Sequence, residues 1–245
     1  MSFPGSKHSP LTPHPSPLKL GLLGGSFNPI HNGHLTIAHQ VHERLQLSRI
    51  LFIPTGDPPH KRDGSLAPAI HRFEMVRLAL ADTPEFDVSD IELRRTGKSY
   101  SIDTVREFQA QHDPSTELFF IIGLDAFLDF PTWREPHELL RICHFVVVPR
   151  PGQSFRALAE MPLFPNLNPL ALAQLDTGTQ NRLDITVPSC PGITCLALPP
   201  CPTSASEIRR RVRSGLPPAN MLPPPRGSYI LRHSLYQEDT DRTRI

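Results

Sequence analysis

The sequence lacks any long hydrophobic run. A membrane-spanning helix needs about 20 consecutive apolar residues, whereas the longest apolar stretches, at 118–122 and 145–148, have the length of buried strands. A membrane span is therefore excluded. Residues 1–17 are rich in Pro, Ser and His and lack the continuous apolar segment of a secretory signal. We therefore predict a disordered Pro-rich tail and a cytoplasmic protein.

A large net charge is also lacking. The chain carries 25 Lys and Arg residues against 24 Asp and Glu residues, a formal charge of +1. This balance gives no support for binding to nucleic acid or to an anionic membrane. The Arg-rich run at 209–213 is the only feature in favour of nucleic acid. Any site for an anion must therefore be local.

Cysteine is scarce, and its spacing does not suit a metal. Of the four cysteines, Cys190, Cys195 and Cys201 lie close together, yet none of their spacings is the C-x2-C of a zinc knuckle. We therefore expect no metal site held by these residues and, in a cytoplasmic protein, reduced thiols.

What the sequence does have is an alternation of apolar runs with helical periodicity. Strands are predicted at 18–23, 50–53, 86–93, 118–122, 145–148 and 193–198, and helices at 33–45, 69–81, 101–111 and 204–212, with two short helices within 125–141. This order predicts an α/β fold with a Rossmann-like, doubly wound, mostly parallel sheet in a single domain over residues 18–245. A small helical segment is predicted at 203–236, in the C-terminal part of this domain. The Pro-rich stretch at 151–186 is predicted to be a surface excursion.

The stretch that follows the first strand, LGGSFNPIHNGHL at 23–35, places two histidines at a predicted helix start. Gly24 and Gly25 allow the backbone to approach a ligand, and the unpaired N–H groups of a helix start favour an anion. Three roles for His31 and His34 stay open at this point: metal ligands, caps of the turn, or donors to phosphate oxygens. The absence of an H-E-x-x-H array weighs against the first role.

The motif G-x-F-x-P-x-H-x-G-H at 25–34 resembles the signature of the nucleotidyltransferase superfamily, which includes the nucleotide adenylyltransferases and phosphopantetheine adenylyltransferase. The partner motif of that superfamily, S-S-T/S-x-I-R, is similar to SASEIR at 204–209. Ala205 stands where a second hydroxyl usually stands. Phosphate contacts in this motif are therefore expected from Ser204, Ser206 and the backbone N–H groups of the helix start.

Segments between the two motifs resemble the bacterial nicotinate-nucleotide adenylyltransferase family and follow its order. They are IPTGDPPHK at 53–61, HRFEM at 71–75, SYSIDT at 99–104, IGLDA at 122–126, FPTW at 130–133 and RPG at 150–152. With GSYI at 227–230, the likeness covers residues 18–236 apart from the Pro-rich stretch. Phosphopantetheine adenylyltransferases are shorter and lack SYSIDT and FPTW.

The resemblance implies a reaction and a set of site residues. The reaction transfers the adenylyl group of ATP to nicotinate mononucleotide and forms deamido-NAD and pyrophosphate, with Mg²⁺ carried on ATP and no metal held by the chain. The implied catalytic residues are His31, His34, Lys61 and Arg209. The implied ATP contacts are Gly24, Gly25, Ser26, Phe27, His34, Gly123, Asp125, Arg150, Ser204, Ser206, Ile208 and Arg209. The implied contacts to the nicotinate nucleotide are Ser26, Tyr100, Thr104 and Trp133; Trp133 would stack on the pyridine ring, and backbone N–H groups near Thr104 and Trp133 would receive the carboxylate.

The sequence alone leaves alternatives to this predicted function open. Another acceptor, such as nicotinamide mononucleotide or pantetheine phosphate, would use the same motifs. A non-catalytic nucleotide-binding regulator would keep the fold, and Ala205 is the one hint of it. Arg134 either assists binding of the nicotinate carboxylate or faces solvent. The sequence predicts no oligomeric state.

Overall fold

The computed structural model describes residues 17–59, 66–164, 167–199, 203–218, 221–223 and 226–237, so the tail predicted at 1–17 lies outside them except for Pro17. The strands are β1 (Lys19–Gly25), β2 (Arg49–Pro54), β3 (Phe86–Val88), β4 (Glu117–Gly123), β5 (His144–Val148), β6 (Arg182–Ile185) and β7 (Ile193–Leu196). The α-helices are α1 (Asn32–Leu45), α2 (Ala69–Leu80), α3 (Ile91–Arg94), α4 (Ser101–Gln111), α5 (Leu124–Leu128), α6 (Pro136–Ile142), α7 (Pro169–Thr177), α8 (Ala205–Arg213) and α9 (Arg226–Arg232). Two 3₁₀ helices cover Phe130–Thr132 and Phe155–Glu160.

The strands form one sheet in the order β3-β2-β1-β4-β5-β7-β6. All neighbouring strands are parallel except β6, which runs antiparallel to β7. Because β1 pairs with β2 on one side and with β4 on the other, the sheet grows in opposite directions from β1. In open parallel sheets a ligand binds at the carboxyl ends of the strands at such a switch point. The prediction of a doubly wound, mostly parallel sheet is confirmed.

The central strand β4 shows why the sheet is buried on both faces. Its sequence ELFFIIG contains five apolar residues in a row, and successive side chains of a strand point to opposite faces. Leu118, Phe120 and Ile122 enter one core, whereas Phe119 and Ile121 enter the other. Such a run is typical of a parallel strand that is covered by helices on both sides.

Two layers of helices provide this cover. The core on one face takes buried residues from α1, α2, α8 and α9, and the core on the other face takes them from α4, α5, α6 and α7. In α8 the contributing residues are Ile208 and Val212, which share a face because they are four residues apart. No helix within the described ranges is long and apolar enough to cross a membrane.

The strand predicted at 86–93 is shorter than expected. β3 ends at Val88, and α3 follows within three residues. The carbonyl of Asp90 accepts hydrogen bonds from the N–H groups of Leu93 and Arg94, so the chain turns into a helix and buries Ile91. The prediction was wrong because the spacing of apolar residues over so few positions fits a short helix as well as a strand.

The surface excursion predicted at 151–186 is also wrong. This stretch forms a 3₁₀ helix, α7 and β6, and it buries Phe155, Leu158 and Leu172 against the core. The carboxylate of Asp176 in α7 accepts a hydrogen bond of 2.7 Å from the N–H of Phe155, the first residue of the 3₁₀ helix, and so connects these two elements. Prolines are compatible with this order because Pro169 occupies the first turn of α7, where its missing N–H costs nothing.

Candidate active site

The loop between β1 and α1 lies at the switch point and holds a strained turn. Phe27 adopts a left-handed conformation with φ of 41°, which is costly for a bulky residue. Its buried ring packs against Phe52 and His34. The Asn28-Pro29 peptide bond is cis. Ahead of the turn, Gly24 is exposed, and a Cβ built there would meet nothing within 4 Å. The end of β1 therefore leaves room for a ligand.

The two histidines of the motif contact each other at the start of α1, with their ring planes tilted by 31°. His31 immediately precedes the helix and His34 is its third residue, and their ring centres lie 3.8 Å apart. The backbone N–H of His31 donates to Nδ1 of His34 at 3.2 Å. A ring nitrogen that accepts a hydrogen bond carries no proton, so neutral His34 carries its proton on Nε2. The local geometry thus makes His34 an Nε2–H donor.

Both imidazoles are neutral at pH 7. Burial, and after it the positive charge of Arg150, lowers the pKa of His31 to about 4. Burial, followed by the charges of His31 and Arg150, holds the pKa of His34 well below its usual range. Nδ1 of His31 is buried and has no hydrogen-bond partner among the described residues. An unpaired buried polar atom costs free energy, which hydrogen bonding to a ligand would recover.

A second part of the site comes from the ends of β4 and β5. Arg150 follows β5, and its Nε lies 3.4 Å from Oδ1 of Asp125. Gly123, the last residue of β4, lies directly against this pair. A Cβ built on Gly123 would be 2.6 Å from Nε of Arg150 and 2.6 Å from Oδ1 of Asp125. The structure therefore brings together three predicted ATP contacts. Arg150 also lines a cavity of about 590 Å³ together with His31 and with Thr203, the residue before the C-terminal motif.

The C-terminal motif reaches the histidine loop through Arg209. Its Nη1 donates to the carbonyl of Asn28 at 2.7 Å, and its Nη2 donates to Oγ of Ser206 at 3.3 Å. Ser204 caps α8 by accepting a hydrogen bond from the N–H of Glu207. A guanidinium has five N–H donors, so Arg209 can hold the loop and still donate to a phosphate.

Two of the predicted ATP contacts have side chains that belong to the core. Ile208 is fully buried between α8 and the sheet, and Phe27 is 2% exposed. The side chains of these two residues are therefore structural, and any contact of theirs with a nucleotide would be through backbone atoms. The resemblance named these positions correctly as parts of the motifs, but a motif does not distinguish a ligand contact from a packing residue.

Three of the four residues predicted to bind the nicotinate nucleotide, Tyr100, Thr104 and Trp133, belong to the opposite face of the sheet, whereas Ser26 lies directly after β1. Trp133 packs edge-on against Phe120 of β4, with ring centres 6.2 Å apart. The next residue, Arg134, places its guanidinium carbon 4.8 Å from the centre of the Tyr100 ring. The structure therefore brings Tyr100 beside the Trp133 segment, as one pocket would require.

Thr104 makes contacts that the sequence did not predict. Its hydroxyl donates to Oε1 of the buried Glu92 at 2.8 Å, and its N–H donates to the carbonyl of Tyr100. The N–H of Trp133 likewise donates to a carbonyl, that of Phe130. The backbone N–H groups of Thr104 and Trp133 themselves are thus engaged within the chain in this structure.

Sequence reasoning missed one buried polar residue, Arg72 of α2. Its guanidinium donates to four backbone carbonyls. The available signal was its position, because Arg72 shares a helix face with the buried residues Met75, Val76 and Ala79. A charged residue on such a face is almost never left without partners. The predicted catalytic residue Lys61 lies outside the described residues.

The described part of the chain brings no three His, Cys, Asp or Glu side chains together as a metal site. Asp125 is paired with Arg150, and Asp176, the carboxylate that lines the cavity, accepts a hydrogen bond from the N–H of Phe155. The donors gathered around the cavity are imidazole and guanidinium groups. Such a set suits the oxygens of a phosphate.

The fold and this site define a class of protein. The sequence model of the cytidylyltransferase-like family matches residues 22–211, which span the histidine motif, the strand ends and the C-terminal motif. The chain therefore has a nucleotidyltransferase domain of the cytidylyltransferase-like type.

Relatives identify the family within this class. A probable nicotinate-nucleotide adenylyltransferase of Geobacter metallireducens is 42% identical over 222 residues, which cover 91% of this chain and 100% of the relative. Another, of Moorella thermoacetica, is 35% identical over 225 residues and covers 92% and 94% of the two chains. The chain belongs to the nicotinate-nucleotide adenylyltransferase family.

A solved structure agrees with the fold. The nicotinic acid mononucleotide adenylyltransferase of Plasmodium falciparum complexed with NaAD superposes with a TM-score of 0.66 at 17% identity, covering 89% of this chain and 97% of that chain. The same protein complexed with APC gives a TM-score of 0.64 at 16% identity.

Proposed function

We propose that the protein transfers the adenylyl group of ATP to nicotinate mononucleotide, giving deamido-NAD and pyrophosphate. The observation that carries the proposal is the pair of neutral histidines in contact at the start of α1, with Arg150 lining the same cavity as His31 and with Arg209 of α8 bonded to the preceding loop. The names of the relatives support this activity. The NaAD and APC complexes of the Plasmodium enzyme support the same classes of small-molecule ligand.

The reaction needs no nucleophile from the protein. A phosphate oxygen of nicotinate mononucleotide would attack the α-phosphorus of ATP in line, the new P–O bond would form as the bond to pyrophosphate breaks, and the electron pair would leave with pyrophosphate. A phosphate monoester is already largely ionised at pH 7. The task of the chain is therefore to position two anions and to stabilise the charge that develops between them.

The histidines suit this task because they are neutral and oriented. Nε2–H of His34 is a donor whose direction is set by the bond to Nδ1. Negative charge arriving on ATP favours the protonated form of each imidazole, so His31 and His34 would donate more strongly as phosphate charge accumulates. Arg150 and Arg209 add fixed positive charge, and the N–H groups of the α1 start contribute about 0.3–1 kcal/mol towards an anion.

Mg²⁺ fits this site as a companion of ATP rather than as a resident ion. Among the described residues that line the cavity, the one carboxylate is Asp176, which already accepts a hydrogen bond from the N–H of Phe155, so phosphate oxygens rather than carboxylates would hold the ion. When bound with ATP, Mg²⁺ supplies charge neutralisation of the phosphates.

The aromatic cluster on the opposite face would receive the pyridine ring. Trp133 offers a flat π surface, and Tyr100 closes the neighbouring side. Arg134 lies on Tyr100 and 3.8 Å from Asp103, so it is a local positive charge for the nicotinate carboxylate. We therefore expect nicotinate mononucleotide to be preferred over nicotinamide mononucleotide.

His34→Ala tests the proposal. With Mg-ATP and nicotinate mononucleotide, pyrophosphate release by this variant should fall about 100- to 1,000-fold, the loss typical of removing one donor to a transition-state oxyanion. His137→Ala, an exposed histidine of α6, is the matched control and should keep wild-type turnover. A folded His34→Ala variant with undiminished turnover would contradict the proposed role. A preference of the wild type for nicotinamide mononucleotide would contradict the proposed acceptor.

A further inference from the structure

The guanidinium of Arg72 is the most extensively bonded buried charge outside the site described above. Arg72 is 1% exposed. Its Nε donates to the carbonyl of Ala67 at 2.8 Å, its Nη1 to that of Ser26 at 2.8 Å, and its Nη2 to those of Thr55 and Gly56 at 2.6 and 3.3 Å. All three nitrogens are therefore used, and all four of these acceptors are backbone carbonyls.

These carbonyls belong to three segments that meet at the switch point. Ser26 lies just after β1, Thr55 and Gly56 lie just after β2, and Ala67 lies in the segment that leads into α2. A planar guanidinium presents its donors in a fixed fork, whereas a lysine ammonium is a single point with three donors. Lysine at this position would keep the charge and lose the simultaneous hold on all three segments.

Ser26, whose carbonyl accepts a hydrogen bond from Arg72, immediately precedes the strained turn at Phe27. Phe27 follows Ser26, has φ of 41° and packs its ring edge-on against the imidazole of His34, with centres 5.0 Å apart. On the far side of Phe27, Arg209 holds the carbonyl of Asn28. One guanidinium therefore binds each end of the turn. The Phe27 ring in the turn packs against His34, the histidine that the proposed reaction uses.

We propose that Arg72 is a positioning residue for the adenylyl transfer, a proposal that rests on the proposed function. By holding the carbonyl of Ser26, Arg72 keeps the turn at Phe27 in its costly conformation and so fixes the ring of His34. Strained backbone persists only where surrounding structure determines it, and a displacement of about 1 Å at a reacting group can cost about 100-fold in rate.

Arg72→Lys is the first test, with Arg77→Lys as the matched control. Arg77 lies on the same helix, is exposed and pairs with Glu74. At a temperature well below the unfolding midpoints of all variants, Arg72→Lys should lower kcat about 10- to 100-fold and leave KM for both substrates within about threefold. Arg77→Lys should match the wild type. Equal kcat for the two variants would overturn the proposal.

A double-mutant cycle separates positioning from a general loss of structure. In a His34→Ala background, measured at high enzyme concentration, adding Arg72→Lys should change pyrophosphate release less than about threefold, because the group that it positions is already gone. An undiminished effect in that background would show that Arg72 acts elsewhere and would overturn the proposal. If Arg72→Lys does not fold, Phe27→Leu takes its place in the same cycle, since it keeps an apolar side chain and loses the ring contact to His34.

The ¹⁵N signals of the His34 ring give a readout that does not depend on activity. In the wild type they should report a neutral ring with its proton on Nε2, and in Arg72→Lys a mixture of tautomers. An unchanged single tautomer in Arg72→Lys would overturn the proposal. A wild type that releases no pyrophosphate from ATP and nicotinate mononucleotide would contradict the proposed function instead, and the ring signals would still decide the role of Arg72.

Discussion

Mild acid should destabilise the protein through His31. Burial and the charge of Arg150 lower the pKa of this imidazole to about 4, while the unfolded chain titrates near 6.5. Between these two values the unfolded state binds more protons than the native state, so the free energy of unfolding rises with pH. The contribution of His31 is fully present above about pH 6.5 and is lost as the pH falls from there towards 4.

The size of this effect follows from the two pKa values. One pKa unit corresponds to about 1.4 kcal/mol, and at pH 5 the unfolded imidazole is almost fully protonated whereas the native one is about one-tenth protonated. His31 alone should therefore remove about 2 kcal/mol of stability between pH 7 and pH 5. No discount for solvent screening applies, because His31 is 5% exposed.

Urea unfolding of wild type and His31→Gln at pH 7 and pH 5 measures the effect. The loss of stability on acidification should be smaller in His31→Gln by about 2 kcal/mol. The matched control is His137→Gln, an exposed position on α6, which should lose as much stability as the wild type. If His31→Gln and the wild type lose the same amount, the inference that His31 is buried in its neutral form is refuted.

Two further predictions concern the Pro-rich stretch and the strand ends. Phe155→Ala should destabilise the protein by about 3–5 kcal/mol, because the ring is 2% exposed within the core; an unfolding midpoint close to that of wild type would restore the view of this stretch as a surface excursion. Gly123→Ala should raise KM for ATP several-fold, because the new Cβ would displace the side chains of Arg150 and Asp125, two predicted ATP contacts. Stability should change little, since these side-chain atoms can move. Steady-state kinetics with ATP varied would contradict the prediction if KM stayed constant.

The sequence was sufficient for most of the fold because its strands are buried on both faces. A run such as LFFII at 118–122 fits only a strand covered from two sides or a buried helix, and its length decides for the strand. The helix predicted at 101–111 agrees with α4 at both ends. The resemblance carried by the histidine motif and SASEIR identified the family, which the relatives confirm.

Segments with weak periodicity were beyond this kind of reasoning. Prolines at 151–186 indicate breaks in regular structure, but they do not tell whether the short elements between the breaks are packed. Phe155 and Leu172 are buried because α7 and β6 cover the edge of the sheet, and this cover is formed by residues far apart in the chain. At 86–93, four apolar residues did not distinguish a single strand from a strand followed by α3.

The sequence by itself determined the main alternation of strands and helices, and its motifs identified the class of the protein. Tertiary structure alone decided the burial that lowers the pKa of the two histidines, the core position of Ile208 and the four carbonyls that Arg72 binds. The physical reason is that burial, hydrogen-bond partners and electrostatic neighbours are set by distances between atoms remote in sequence, as between Arg209 and the carbonyl of Asn28. A motif specifies the groups that are present, and only folding specifies what surrounds them.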